Sequence, residues 1–358
     1  MKAAWWPADT HAPSARQRCS RIVAHLRGLG SPVCLYTPGD AAPDVLVLSG
    51  RCDPDSLDHA LDLRARMGSV LVLDLCHNHF YVEDDPDGRL QRQADAVRHA
   101  AASVDLVIAV SRALAEIVLD QAPGVRAIEV VADAVEPPNI PSRPAWLTEW
   151  RAHHHLRALT RWLAGHPEVT HASRMVWFGD DDGPGLDLGL AGLRRIRPDL
   201  ELAARQHGPL SLTVISHSAT RFAEVTTGWT VPTRHVPWHS TTFSQALMAH
   251  GTALVPNNLD PLTVGNPANR VLTAFVHGLA VVGDSIPSYA EFRDCAVLDD
   301  WETGLGAYRL DTAGREADVA QGRAIATGRF GLEAVARRWL DVLSAVGTSS
   351  PSRPSPAA

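Results

Sequence analysis

Short apolar runs alternate with longer helical patterns along this chain, and the alternation occurs twice over. In the first half the runs fall at residues 2–6, 33–36, 45–48, 70–73, 106–110 and 128–131. They are apolar at nearly every position rather than at every second one, which suits strands covered on both faces, as in a parallel sheet. Helical stretches between them include residues 15–27, 56–66 and 111–119. Ser111 stands directly after a strand, where its hydroxyl can cap a helix N-terminus.

The segment at residues 135–144 carries four prolines and excludes regular structure. It predicts a linker, followed by a helix over residues 146–163. The pattern then restarts. Strands are expected at residues 175–178, 212–215, 234–236, 253–255, 280–282 and 296–298, with helices at 188–205, 242–250 and 269–276. Pro198 is expected to break or kink the first of these helices. Two successive βα arrays predict an α/β chain with two doubly wound, Rossmann-like domains facing a central cleft. In such sheets ligands bind beyond the carboxyl ends of the strands. The expected plan is an acceptor-side domain at 1–140, a linker and helix at 141–170, a nucleotide-sugar-binding domain at 171–330, a helix at 331–346 and a disordered tail at 347–358. The last helix is expected from one stripe of Leu332, Val335, Ala336, Trp339, Leu340 and Leu343. The Ser- and Pro-rich composition beyond it is that of a disordered end.

A length of 358 residues allows two separate cores. The formal net charge of -7 argues against a broad nucleic-acid footprint, though a local phosphate pocket is compatible with it. Five widely spaced cysteines, none in a Cys-x-x-Cys pair, suggest neither a zinc site nor a disulfide framework. Cys34 and Cys76 read as buried thiols. The N-terminus lacks the apolar core of a signal peptide, and no stretch approaches the roughly 20 apolar residues of a spanning helix. A cytoplasmic protein is expected, with peripheral contact at the inner face of the membrane left open. Nothing in the sequence specifies an oligomeric state.

Several segments, taken in order, resemble bacterial glycosyltransferases of the GT4-like, group 1 kind. Asn266-Pro-Ala-Asn-Arg270-Val-Leu-Thr-Ala-Phe-Val-His-Gly278 is similar to the family's helix before a strand. Met175-Val-Trp-Phe-Gly179 is similar to the strand and glycine that open its C-terminal domain. His235-Val-Pro-Trp238 and Ala253-Leu-Val-Pro-Asn257 follow in the expected order. In the first half, Leu73-Asp-Leu-Cys-His-Asn-His79 and Asp105-Leu-Val-Ile-Ala-Val-Ser111 fall where the family has comparable strand ends. The resemblance implies a GT-B fold. It also implies transfer of a sugar from a nucleotide-activated donor to an acceptor hydroxyl, with retention, in glycan or glycoconjugate biosynthesis. No cofactor or metal would be required. One departure is plain: the family's Glu-x7-Glu signature is replaced by Gly265 and Thr273. That leaves open a non-catalytic nucleotide-sugar-binding or scaffold protein, or a nucleotide-sugar epimerase.

Arg270 is the foremost candidate for phosphate contact. With Asn269 it opens a predicted helix, where backbone N–H groups and the helix dipole favour an anion and a guanidinium adds bidentate recognition. A surface arginine is the alternative. Gly179, at a strand end, permits close backbone approach to a pyrophosphate. The three aspartates that follow it would repel one, and Asp180 with Asp182 spells a D-x-D suited to a metal that GT-B enzymes usually do without. Ser216, His217, Trp238 and Asn257 also follow strands, and the aromatic Trp238 could flank a base or simply pack. His77 is the catalytic candidate, a residue that can hydrogen-bond hydroxyls or move a proton near neutral pH, against the alternative of a loop-capping histidine. His79 rivals it and, with Arg16, is an acceptor-side candidate. Arg18 could contact acceptor or phosphates, or lie on a helix surface. The run His153-His-His155 reads as solvated helix surface, because adjacent helical residues point in different directions.

Overall fold

A computed structural model of the chain describes residues 1–10, 12–82, 85–139, 149–179 and 189–348. It divides into two compact units. The first comprises Met1–Glu136, Asp260–Pro267 and the chain from Gly328 onward, and the second comprises Pro137–Leu259 and Ala268–Thr327.

The first unit is built on β1 (Ala3–Pro7), β2 (Val33–Leu35), β3 (Val45–Ser49), β4 (Val70–Leu75), β5 (Leu106–Ala109) and β6 (Ile128–Val130). These form one parallel sheet in the order β2-β1-β3-β4-β5-β6. All residues of β4 and β5 are buried, as runs apolar on both faces require. The connecting helices are α1 (Pro13–Ala15), a π-type stretch at Arg16–Ser20, α2 (Arg21–Gly28), α3 (Pro54–Met67), α4 (Arg89–Ser103) and α5 (Arg112–Gln121). Asp53 caps α3 through Ser56 N–H, and Ser111 caps α5 through Leu114 N–H, the role its position predicted.

The second unit begins with α6 (Trp150–Ala164) and repeats the scheme. Its strands are β7 (Arg174–Phe178), β8 (Ser211–Ser216), β9 (Thr233–Pro237), β10 (Thr252–Val255), β11 (Ala280–Gly283) and β12 (Val297–Leu298), again parallel, in the order β12-β11-β10-β7-β8-β9. Its further helices are α7 (Gly192–His207), α8 (Ala219–Thr226), α9 (Phe243–Met248), α11 (Asn269–Val276), α12 (Trp301–Leu310) and α13 (Thr312–Arg329), while the short α10 (Pro261–Val264) lies in the segment belonging to the first unit. Pro198 does not end α7, which runs to His207. The lost hydrogen bond is offset by an apolar face of Leu193, Ile196, Leu200 and Ala203, all buried in the core of this unit.

The terminal helix α14 (Leu332–Thr348) lays the expected stripe onto the first unit. Trp339 is fully buried, with its ring 5.5 Å from that of Trp5 in an edge-to-face pair. Gly347 and Thr348 belong to this helix rather than to a disordered tail, whose remaining residues lie outside the described ones. The proline-rich residues 140–144 also lie outside them. All five cysteines are free thiols, and Cys34 and Cys76 are half-buried rather than buried. Burial pushes the Cys19, Cys52 and Cys76 thiols up to about 12, so they stay protonated.

His250 is sealed in the core of the second unit. Its Nδ1 donates to the Ala246 carbonyl at 2.8 Å, and its Nε2 accepts from the Thr213 hydroxyl at 2.7 Å. Burial lowers its pKa to about 4, against backbone hydrogen bonds that raise it. A folded-state pKa below the unfolded value means the unfolded chain takes up the proton first. Stability is therefore complete above about pH 6.5 and falls as pH drops towards 4, by roughly 3 kcal/mol over the window. Urea unfolding at stepped pH should show this slope in the parent and a flatter one in His250→Gln.

Candidate functional site

In the second unit, the carboxyl ends of four neighbouring strands collect most of the sequence-flagged residues. Asn257 lies just past β10, Gly179 directly follows β7, Ser216 ends β8 with His217 next, and Trp238 follows β9. Adjacent strands lie about 4.8 Å apart, so this row spans about 14 Å. The chain runs from β7 to β8 on one side and returns to β10 on the other, so the strand order reverses at β7/β10, where ligands of open α/β sheets bind.

Asn257 and Arg270 form the best-defined part of this row. Arg270 is the second residue of α11, and its Nη2 donates to Asn257 Oδ1 at 2.8 Å. Asn257 is only 7% exposed. Its amide nitrogen donates to the carbonyls of Val255 at 3.3 Å and Asp284 at 3.1 Å, and its backbone N–H donates to Asp284 Oδ2 at 2.9 Å. Asp284 also accepts from Trp301 Nε1 at 2.9 Å and pairs with Arg195. A carboxylate thus fixes the asparagine, and the asparagine orients the guanidinium. Asn269 is half-buried at the first position of α11, and Ala268 provides no capping side chain.

Towards β8 and β9 the surroundings are aromatic. The rings of His217 and Trp238 are 5.3 Å apart, and Phe243 lies 6.2 Å from Trp238 and 5.6 Å from Phe178. His217 is exposed, while Trp238 is half-buried. Ser216 is fully buried, with its hydroxyl 3.2 Å from His235 Nε2 and its carbonyl accepting from the Trp238 N–H at 3.0 Å, so it serves the fold. A Cβ on Gly179 would lie 3.0 Å from the Trp177 ring, which explains the glycine there. Asp180 and Asp182 lie outside the described residues. Among the described residues no group of His, Cys, Asp and Glu could hold a metal ion.

The first unit carries a separate cluster beyond β4. His77 is exposed but closely flanked by protein; desolvation lowers its pKa, Asp133 opposes this and Arg18 adds to it. It is a neutral imidazole near neutral pH. His79, with its ring 6.3 Å away, is depressed to about 4 by desolvation and by His77, and its Nδ1 is 2.9 Å from Gln93 Nε2. Between them Asn78 is buried and donates to the Pro261 carbonyl at 2.6 Å.

Two arginines of the first unit are held by carboxylates. Arg16 is held by Glu136 in a two-point ion pair at 2.6 and 3.1 Å, which raises its pKa. Arg18 is 1% exposed, and reaches Asp74 at 2.9 Å and Asp133 at 2.7 Å from the π-type stretch. Burial alone would lower its pKa, but the two carboxylates push it above the usual range. Arg18 is a core ion and not a contact for acceptor or phosphate. The sequence offered no sign of this, because both partners are distant along the chain. Asp284 was also missed, although an acidic residue directly after a strand in a doubly wound sheet is a usable signal.

No protein-family model and no curated protein matches the sequence. Solved structures do match its fold. A sucrose-phosphate synthase from Thermosynechococcus elongatus aligns over 98% of this chain and 100% of its own at 10% identity, with a TM-score of 0.67. HepE from Anabaena, solved in complex with UDP and glucose, aligns over 95% of this chain and 99% of its own at 14% identity, with a TM-score of 0.61. TarM aligns over 92% of this chain at 11% identity and a TM-score of 0.60, and the chain spans 58% of TarM's length. The chain has the GT-B fold of glycosyltransferases. Gly265, which the sequence resemblance aligns with the first glutamate of the signature, is buried, with its carbonyl accepting from the Ser111 hydroxyl at 2.8 Å. A Cβ there would touch Leu114, Ile117 and Asn78 at 3.4 to 3.6 Å. The surroundings are thus largely apolar and suit a glycine better than a carboxylate.

Proposed function

We propose that the chain is a glycosyltransferase that moves a sugar from a nucleotide-activated donor to an acceptor hydroxyl, with retention of configuration, in glycan or glycoconjugate biosynthesis. The observation that carries the reading is Arg270 oriented by buried Asn257 at the strand-order reversal of the second unit. In the reaction the acceptor oxygen bonds to the anomeric carbon, the bond from that carbon to the diphosphate breaks, and the acceptor proton is released. Charge accumulates on the departing diphosphate, and Arg270 with the first turn of α11 stabilises it without a metal or cofactor. The aromatic group around Trp238 and His217 receives the base. Incubating the protein with a panel of nucleotide sugars and following diphosphate release tests the reading; no turnover of any donor, with or without acceptors, overturns it.

A second reading is a non-catalytic nucleotide-sugar-binding protein, or an epimerase. It is favoured by the absence of both signature carboxylates, at Gly265 and Thr273. Saturable diphosphate binding without turnover identifies the first, and an isomerised sugar identifies the second.

His77 is assigned to the sugar rather than to the diphosphate, because it is a neutral histidine after a strand of the first unit. His77→Ala should lower kcat by about 100-fold or more, the usual range for a general acid or base, and leave diphosphate affinity unchanged. Steady-state rates together with calorimetric titration check both halves.

A further inference from the structure

Helix α6 reads Trp-Arg-Ala-His-His-His-Leu-Arg-Ala-Leu-Thr-Arg-Trp-Leu-Ala, with three arginines, three histidines and no acidic residue, in a chain whose formal net charge is -7. Its buried residues are Ala152, Leu159 and Leu163, at spacings of seven and four. Trp150, His154, Arg157 and Arg161, at spacings of four, three and four, are all exposed and fall on the opposite side of the helix. Trp150 is 60% exposed, with the Arg151 guanidinium 5.6 Å from its ring centre. At the flank, Arg234 of β9 lies over Trp162 at 6.0 Å. Among the described residues, Arg151, Arg157 and Arg161 form no ion pair. An arginine helix that only had to be soluble would ordinarily be interspersed with acidic partners.

We infer that this face of α6 docks the protein on an anionic phospholipid surface. The stripe is about 16 Å long and carries one sign of charge, so it complements a flat anionic surface. The tryptophan at its end favours a bilayer over a soluble polyanion, because an exposed indole with an adjacent cation suits the headgroup level. The inference does not depend on the glycosyltransferase reading, since neither the Asn257–Arg270 pair nor His77 lies on this helix.

The test is sedimentation of the full chain with vesicles of phosphatidylcholine alone and of phosphatidylcholine mixed equally with phosphatidylglycerol. Binding is expected only to the mixed vesicles and should weaken as salt rises. The double variant Arg157→Gln, Arg161→Gln should bind about 30-fold more weakly, since each cation near such a surface contributes about 1 kcal/mol. Trp150→Ser should weaken vesicle binding but leave retention on heparin unchanged. All four positions are exposed, and circular dichroism confirms that the variants fold. Equal binding to both vesicle types, unchanged binding by the double variant, or retention on heparin without vesicle binding each overturns the inference; the last marks a site for a soluble polyanion.

Discussion

Arg270→Ala is expected to weaken nucleoside-diphosphate binding by about 30-fold to several thousand-fold while leaving the fold intact. Losing one partner of a buried, hydrogen-bonded charge pair costs about 2–5 kcal/mol, and each 1.4 kcal/mol is a factor of about ten. The side chain is half-buried, and the single hydrogen bond described for it ends on Asn257 Oδ1. A guanidinium has five N–H donors, so most of its hydrogen-bonding capacity is available to a phosphate. Asn257 is itself immobilised by Val255 and Asp284, so the guanidinium is directed before any ligand arrives. Arg270→Lys should recover only part of the affinity, because a point charge cannot reproduce the planar fork. Calorimetric titration with a panel of nucleoside diphosphates separates the cases. Equal affinities for the parent and both variants would remove Arg270 from the site.

Much of this arrangement was legible in the sequence, and the reason is burial. A parallel sheet covered on both faces favours apolar residues along the strands, so runs such as residues 70–73 and 280–282 stand out without homologues. Helix α11 was equally legible, since Asn269–Val276 packs five apolar side chains between a loop and a strand. Helix α4 was not singled out. It is Arg- and Gln-rich at its start, and its buried residues are Ala94, Val97, Ala100 and Ala101, which are too small to form a conspicuous stripe. The row Asn257, Gly179, Ser216 and Trp238 followed from the rule that ligands meet strand carboxyl ends. That rule gives a position but not a direction, which is why Ser216 was included although its hydroxyl turns inward to His235. Direction depends on partners such as Asp284, 27 residues from Asn257, and such pairings are set by tertiary structure.

Arg18→Ala is expected to destabilise the first unit by about 3–5 kcal/mol, the range for breaking a buried ion pair by removing one partner. Arg18 is 56 residues from Asp74 and 115 from Asp133, so no local pattern announces the cluster. Its loss would take the cation from two buried carboxylates, and the Ser49 hydroxyl would still donate to Asp74 at 2.7 Å. The Val131 carbonyl and the Trp339 ring, 5.7 Å from the guanidinium, would also lose their cation. Domain stabilities are typically 5–15 kcal/mol, so this single change consumes a large share and lowers the yield of folded protein. Urea unfolding measures it. Replacing Arg18, Asp74 and Asp133 together by apolar residues of similar volume should recover most of the stability, because the penalty lies in keeping carboxylates buried without their cation rather than in the lost attraction. The cluster also reaches the candidate catalytic histidine, since Arg18 lowers and Asp133 raises the pKa of His77. Arg18→Met should therefore raise the His77 pKa by removing the charge that lowers it while Asp133 still raises it, and the triple apolar variant, which removes both, should not. A titration of the His77 ring protons by NMR reads this directly. An unchanged His77 titration in Arg18→Met, with the fold intact, would show that the ion cluster serves stability alone.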